Sequence, residues 1–160
     1  FLCDAMLGGL ARWLRAAGYR AEFDVHAADG ALVRRAFQEG KVLLTSDEGI
    51  MERWAVQTGR AATVFVPRGL SVIEQPGHVL GKLGLGLRPS RCMDCDGVLE
   101  RVEIEEVADQ VPPKVRTFCR EFYRCRGCGK AYWHGTHWRD IQRRLRRAAR
   151  MAERVSESDG

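Results

Sequence analysis

Two CxxC pairs constrain this chain more than any other feature. Cys92 and Cys95 stand in RCMDC, and Cys125 and Cys128 stand in CRGC. Each short knuckle turns tightly enough to present both sulfurs to one ion, so the two pairs can close a tetrahedral Zn2+ shell. The 29 residues between the pairs exceed the usual roughly 15 to 20, which requires the intervening chain to run as a long hairpin. A zinc ribbon over residues 90–138 is therefore expected. A disulfide framework and redox chemistry are the competing uses of such cysteines. No signal-like apolar segment and no run of about 18 apolar residues occurs, which points to a reduced, cytoplasmic setting and favours metal. Cys3 in FLCDAM and Cys119 in RTFCREF have the apolar surroundings of small buried hydrophobes.

The 160 residues suffice for one good core and a small metal-stapled module. Phe1 already lies in an apolar, strand-like run, so further sequence is expected upstream. Strand-like and helix-like patterns alternate over residues 1–89: FLC, MLGGLARWLRAAG, RAEFDV, a helix opening at Asp29 and stopping at Gly40, KVLLTSD, GIMERWAVQTG as a further helix, AATVFVP, and a helix near SVIEQPGHVLGKLGL. Such alternation means a parallel sheet with helices on its faces. Residues 84–89, GLGLRP, read as a linker to the ribbon.

In parallel sheets the functional crevice lies at the carboxyl ends of the strands. Asp4 ends the first strand, Asp47 ends KVLLTSD, and Asp29 sits at a loop-to-helix junction that can face the same edge. Three carboxylates there are costly unless a divalent cation neutralises them, and hard oxygen ligands suit Mg2+ or Mn2+. Such a site supports phosphodiester hydrolysis. Each acid has a plainer use: Asp29 and Asp47 precede helical segments and can serve as N-caps. Asp4 caps nothing obvious unless a helix begins at once. Asp24, Glu48 and Glu52 are further acids within reach of that edge.

FLCDAMLGGLARWLRAAGY, the acid at Asp29, LLTSD, RCMDCDGVL and FYRCRGCGKAYWHGTHW together resemble the Mut7-C family, a PIN-like ribonuclease domain with an appended zinc ribbon. The resemblance spans nearly the whole chain. It implies a three-layer α/β/α PIN-like domain and metal-dependent RNA cleavage, with Asp4, Asp29 and Asp47 at the acidic positions and zinc on Cys92, Cys95, Cys125 and Cys128. The chain departs from the family pattern at Ser46, where many relatives carry Arg, and has no clear counterpart of a fourth acid. Members of the family can also carry an N-terminal ubiquitin-like domain.

Charge is unevenly spread. Residues 94–109 hold seven acids against Arg101 alone, whereas residues 114–154 hold thirteen Lys and Arg against Glu121, Asp140 and Glu153. From Trp138 onward a period of about 100° per residue places Trp138, Ile141, Leu145, Ala148, Ala149 and Ala152 on one face of a helix. Arg139, Arg143, Arg146, Arg147, Arg150 and Arg154 fall on the opposite side. A solvated face is the usual meaning of such a run, but an arginine stripe is also the footprint that phosphates select. Tyr132, Trp133 and Trp138 can pack the ribbon or stack on unpaired bases, and the roles of His134 and His137 stay open.

The expected organisation is thus a PIN-like domain over 1–89, a ribbon over 90–138, and a basic helix and tail over 139–160. Two functions fit it. One is a metal-dependent ribonuclease that cleaves RNA endonucleolytically while the ribbon and arginine helix hold the substrate. The alternative is a non-catalytic RNA- or ribosome-binding module on a degenerate version of the same fold.

Overall fold

The computed structural model describes residues 1–158, with side chains through residue 150. Four short strands, β1 (Leu2–Cys3), β2 (Glu22–Phe23), β3 (Leu43–Thr45) and β4 (Thr63–Phe65), form an all-parallel sheet in the order β2-β1-β3-β4. Leu2 is in register with Glu22 on one side and Leu43 on the other, and Leu43 with Thr63. Successive side chains of a strand point to opposite faces. Leu2 and Leu43 enter one core, Cys3 and Leu44 the other.

Helices cover both faces. On one side α2 (Asp29–Glu39) supplies Leu32, Val33 and Ala36 to a core shared with Ile50 and Ala61. The single helix expected over 49–59 is instead two short ones, α3 (Glu48–Met51) and α4 (Trp54–Gln57), separated by an extended Arg53. The spacing explains the break: Ile50 and Ala55 are five residues apart, about 140° on a continuous helix, and only a break turns both toward α2.

On the other face α1 (Gly8–Ala16), entered through a 3-10 turn at Ala5–Leu7, packs Leu10 and Leu14 against Val79 and Leu80 of α5 (Glu74–Lys82). The same core contains Ile141 and Leu145 of the long C-terminal helix, α7 (Thr136–Ser158). A Cβ at Gly77 would stand 2.6 Å from the Ala148 carbonyl oxygen, so the absence of a side chain there permits the close crossing of α5 and α7. Parallel strands with amphipathic helices on both faces make a mixed α/β fold.

Between these parts lies an antiparallel sheet, β5 (Leu99–Val102), β6 (Phe122–Cys125) and β7 (Ala131–Trp133). The long hairpin pairs Leu99 with Cys125 and Val102 with Phe122, and its connection carries a 3-10 turn and a short helix, α6 (Pro113–Phe118). That insertion accounts for the wide cysteine spacing. It folds over a separate small core of Val107, Val111, Cys119, Phe122 and Ala131. Cys3 and Cys119 are both buried; burial pushes the Cys3 thiol up to about 12, consistent with an inert packing role.

The segment 84–89 is not a free tether. The Arg88 amide donates to the Ala17 carbonyl, its guanidinium lies 4.7 Å from the Tyr19 ring centroid, and the Tyr19 hydroxyl donates to the Gly86 carbonyl. No helix among the described residues is long and apolar enough to cross a membrane.

Candidate active site and metal centre

The strand order creates a switch point. Chain leaving β1 moves to β2 on one side, while β3 lies on the other, and crevices form outside the carboxyl ends of strands where the direction reverses. Asp4 follows β1 and Ser46 and Asp47 follow β3, so these residues flank that point. Asp4 is only 5% exposed. Its Oδ2 accepts from the Thr45 hydroxyl at 2.5 Å and the Ser46 amide at 3.1 Å, and its Oδ1 accepts from the Met6 amide at 2.9 Å. The helix does begin at once after β1, and Asp4 caps it.

Asp47 is joined to the same network. Its amide donates to Thr45 Oγ1 at 2.9 Å, and its Oδ1 caps α3 by accepting from the Gly49 amide at 2.7 Å. Asp29 is the first residue of α2 rather than its cap, and its carboxylate lies 3.5 Å from Arg53 Nη2. Asp4 and Asp47 are therefore linked through Thr45, while Asp29 faces a guanidinium. Among the described residues the three carboxylates do not converge to the mutual distance at which one ion is fully enclosed by protein ligands. Mg2+ needs no such cage, since it keeps several waters and takes one or two carboxylates.

Two polar residues of this edge had no signal in the sequence. Thr45 acts through a contact between strands 41 residues apart in sequence. Arg68, beyond β4, donates from Nε to the Ser46 carbonyl at 3.1 Å, which places a guanidinium beside the position where the chain itself has a neutral serine. Ser46 is buried and its hydroxyl donates to the Val66 carbonyl.

The cysteines do converge. All four Sγ atoms of Cys92, Cys95, Cys125 and Cys128 lie within 4.8 Å of one another, with no disulfide among them. Cys95 and Cys125 are 3.3 Å apart and Cys92 and Cys128 are 3.7 Å apart. A Zn–S bond of about 2.3 Å in a tetrahedron sets S···S edges of about 3.8 Å, so the set can hold one Zn2+. The knuckles leave no spare room: a Cβ at Gly97 would stand 2.5 Å from Cys125 Sγ. Burial pushes the Cys92 thiol up, but donation from the Tyr132 hydroxyl at 3.1 Å, with backbone amides of Cys95 and Asp94, outweighs it and brings the group down to about 7. A sulfur so disposed binds metal as thiolate.

The first knuckle is clamped to the α/β core. Arg15 of α1, only 6% exposed, donates to the carbonyls of Ala21, Met93 and Asp94 at 2.7, 2.9 and 3.0 Å. Lys130 and Arg12 both pair with Asp94, and the Lys130 contact holds that carboxyl below its usual range.

Charge pairing separates the two basic regions. Three acids of the ribbon are matched locally, Glu100 with Arg124 and Arg126, Glu106 with Arg124, and Glu121 with Arg101. On α7 the apolar face is buried at Ile141, Leu145 and Ala148, and Arg139, Arg143, Arg146, Arg147 and Arg150 are exposed. Asp140 pairs with Arg143 and Arg144. Arg147 lies toward Glu74 of α5, whose carboxyl is lowered first by Ser71 and also by that arginine. Arg139, Arg146 and Arg150 have no acidic partner among the described residues. The Arg154 side chain lies outside the described residues.

A family model described as the Mut7-C RNAse domain matches residues 1–145. No curated protein and no solved structure matches the chain.

Proposed function

The chain belongs to the Mut7-C RNAse domain family, and from that premise we propose that it is a metal-dependent ribonuclease acting at the switch point of its parallel sheet. The family points to ribonuclease-type function and so to RNA as substrate. The observation that carries the placement is the hydrogen-bonded line from Asp4 through Thr45 to Asp47 at the carboxyl ends of β1 and β3. Asp4 and Asp47 offer hard oxygen donors suited to Mg2+ or Mn2+, with Asp29 as the third acid of the edge. When bound, the ion supplies an activated water and stabilises charge on the phosphate.

The chain's own groups do the rest. Thr45 and the Ser46 amide hold the Asp4 carboxylate in one orientation. Arg68 presents positive charge to a phosphate at the same edge. The four cysteines hold a structural Zn2+ that fixes the ribbon on α1, and the exposed arginines of α7 bind phosphates along the RNA. This PIN-like reading takes cleavage to fall within a strand rather than at its end.

A second reading has one specific observation in its favour. Both oxygens of Asp4 already accept from protein donors, and Asp29 already has Arg53, as expected of a non-catalytic RNA-binding module. Incubation of the purified chain with total cellular RNA, with and without Mg2+ or Mn2+, distinguishes the two. Metal-dependent internal cleavage that Asp4→Asn abolishes supports the nuclease. Binding with no cleavage in any metal establishes the second reading.

A further inference from the structure

A cleft of about 890 Å3 opens between α7 and the outer face of the ribbon sheet. One wall is cationic: Arg139, Arg143, Arg146 and Arg150 follow one another at helical spacing, and Arg88 closes the end from the segment before the ribbon. The other wall is aromatic. Tyr123, His134 and Trp138 form a ladder, His134 lying 4.8 Å from Tyr123 and stacked on Trp138 at 5.3 Å with 7° between planes. Glu121 Oε2 accepts from His134 Nδ1 at 2.6 Å, which fixes the ring in that ladder.

Arginines alone do not tell a single strand from a duplex, since both present phosphates. Rings in a concavity do. Bases within an A-form helix are stacked on one another and closed to side chains, and proteins bind such helices by shape and by contacts to phosphates and 2′-hydroxyls. Unpaired bases expose flat faces that stack on aromatic side chains while arginines follow the backbone. A cleft of about 890 Å3 has the volume of a few nucleotides of one strand.

Resting on the ribonuclease reading above, we infer that this cleft is the substrate-selecting site and takes an unpaired RNA segment, its phosphates on the α7 arginines and Arg88, its bases against the aromatic wall at the Tyr123 end of the ladder, since His134 and Trp138 already stack on each other. Selection then needs none of the catalytic chemistry: it works by binding alone. The enzyme is directed to single-stranded stretches by the ribbon and α7, whatever bond the acidic edge attacks.

The test uses the full zinc-loaded chain without added Mg2+ or Mn2+ and a labelled RNA decamer, alone or annealed to its complement, with affinity read by fluorescence anisotropy across a salt series. The single strand is expected to bind at least tenfold more tightly than the duplex. Tyr123→Leu should weaken single-strand binding at least fivefold with an unchanged salt slope, and Tyr123→Phe should restore it. Arg139→Gln with Arg146→Gln should flatten the salt slope by about 1.4, at about 0.7 for each phosphate lost on a single strand. Equal or tighter duplex binding overturns the inference. So does wild-type affinity in both the Tyr123→Leu and the double arginine variants. If Tyr123→Leu fails to fold, the exposed arginine pair and the strand comparison still decide. A chain that selects single strands yet cleaves nothing with metal refutes the nuclease reading and leaves the cleft standing; one that cleaves single and double strands alike, with the variants unaffected, does the reverse.

Discussion

The Thr45 hydroxyl donates to Asp4 Oδ2 over 2.5 Å, joining the ends of β1 and β3 inside the protein. Thr45 Oγ1 in turn accepts from the Asp47 amide, so one side chain is joined to both carboxyl-edge acids. Thr45→Val keeps the shape and removes both bonds. It should cost about 1 to 3 kcal/mol, the usual price of leaving buried polar groups unpaired, and lower cleavage more than RNA affinity. Thr45→Ser should restore both. Thermal melting and cleavage on the same preparations check this.

Asp47→Asn separates capping from chemistry. Asn and Asp are about equally good N-caps, so stability should change by less than about 0.5 kcal/mol. Metal-activated cleavage should fall at least a hundredfold, because the negative ligand is gone. RNA binding should persist or tighten. Normal cleavage in both Asp47→Asn and Asp4→Asn refutes the proposed site.

Zinc should be present at one ion per chain, measured by elemental analysis of protein purified without chelator. Cys125→Ser should unfold the ribbon, whose small core relies on metal for stability, and leave the parallel sheet folded. Zinc affinity should fall with acidity as protons compete for the four sulfurs. Metal content followed across pH 5 to 8 reads this. Full thermal stability of a zinc-free chain speaks against a structural ion.

Gly77→Val should drive α5 and α7 apart, since a Cβ there meets the Ala148 carbonyl oxygen at 2.6 Å. Overpacking of this kind costs about 1 to 3 kcal/mol. Amide exchange should show α7 losing protection before the sheet does. A melting temperature equal to the wild type's would show that the crossing relaxes freely.

Much of the molecule was legible in the chain itself. The two CxxC pairs, the alternation of strand and helix, the stop at Gly40 and the buried stripe of Ile141, Leu145 and Ala148 are local patterns, because each depends on spacing within one element or one knuckle. Partnership across elements was not legible. That Thr45 serves Asp4, that Arg53 faces Asp29, that Arg68 stands beside Ser46 and that Arg15 clamps the first knuckle are contacts between segments brought together only by the sheet order and by helix packing. The helix over 49–59 broke for the same reason, since Ile50 and Ala55 share a core that no local period describes. Local sequence determined most of the elements and the four cysteines that the ribbon brings together; tertiary packing decided which charges are matched, and so left Arg139, Arg146 and Arg150 without an acidic partner among the described residues, beside an aromatic wall.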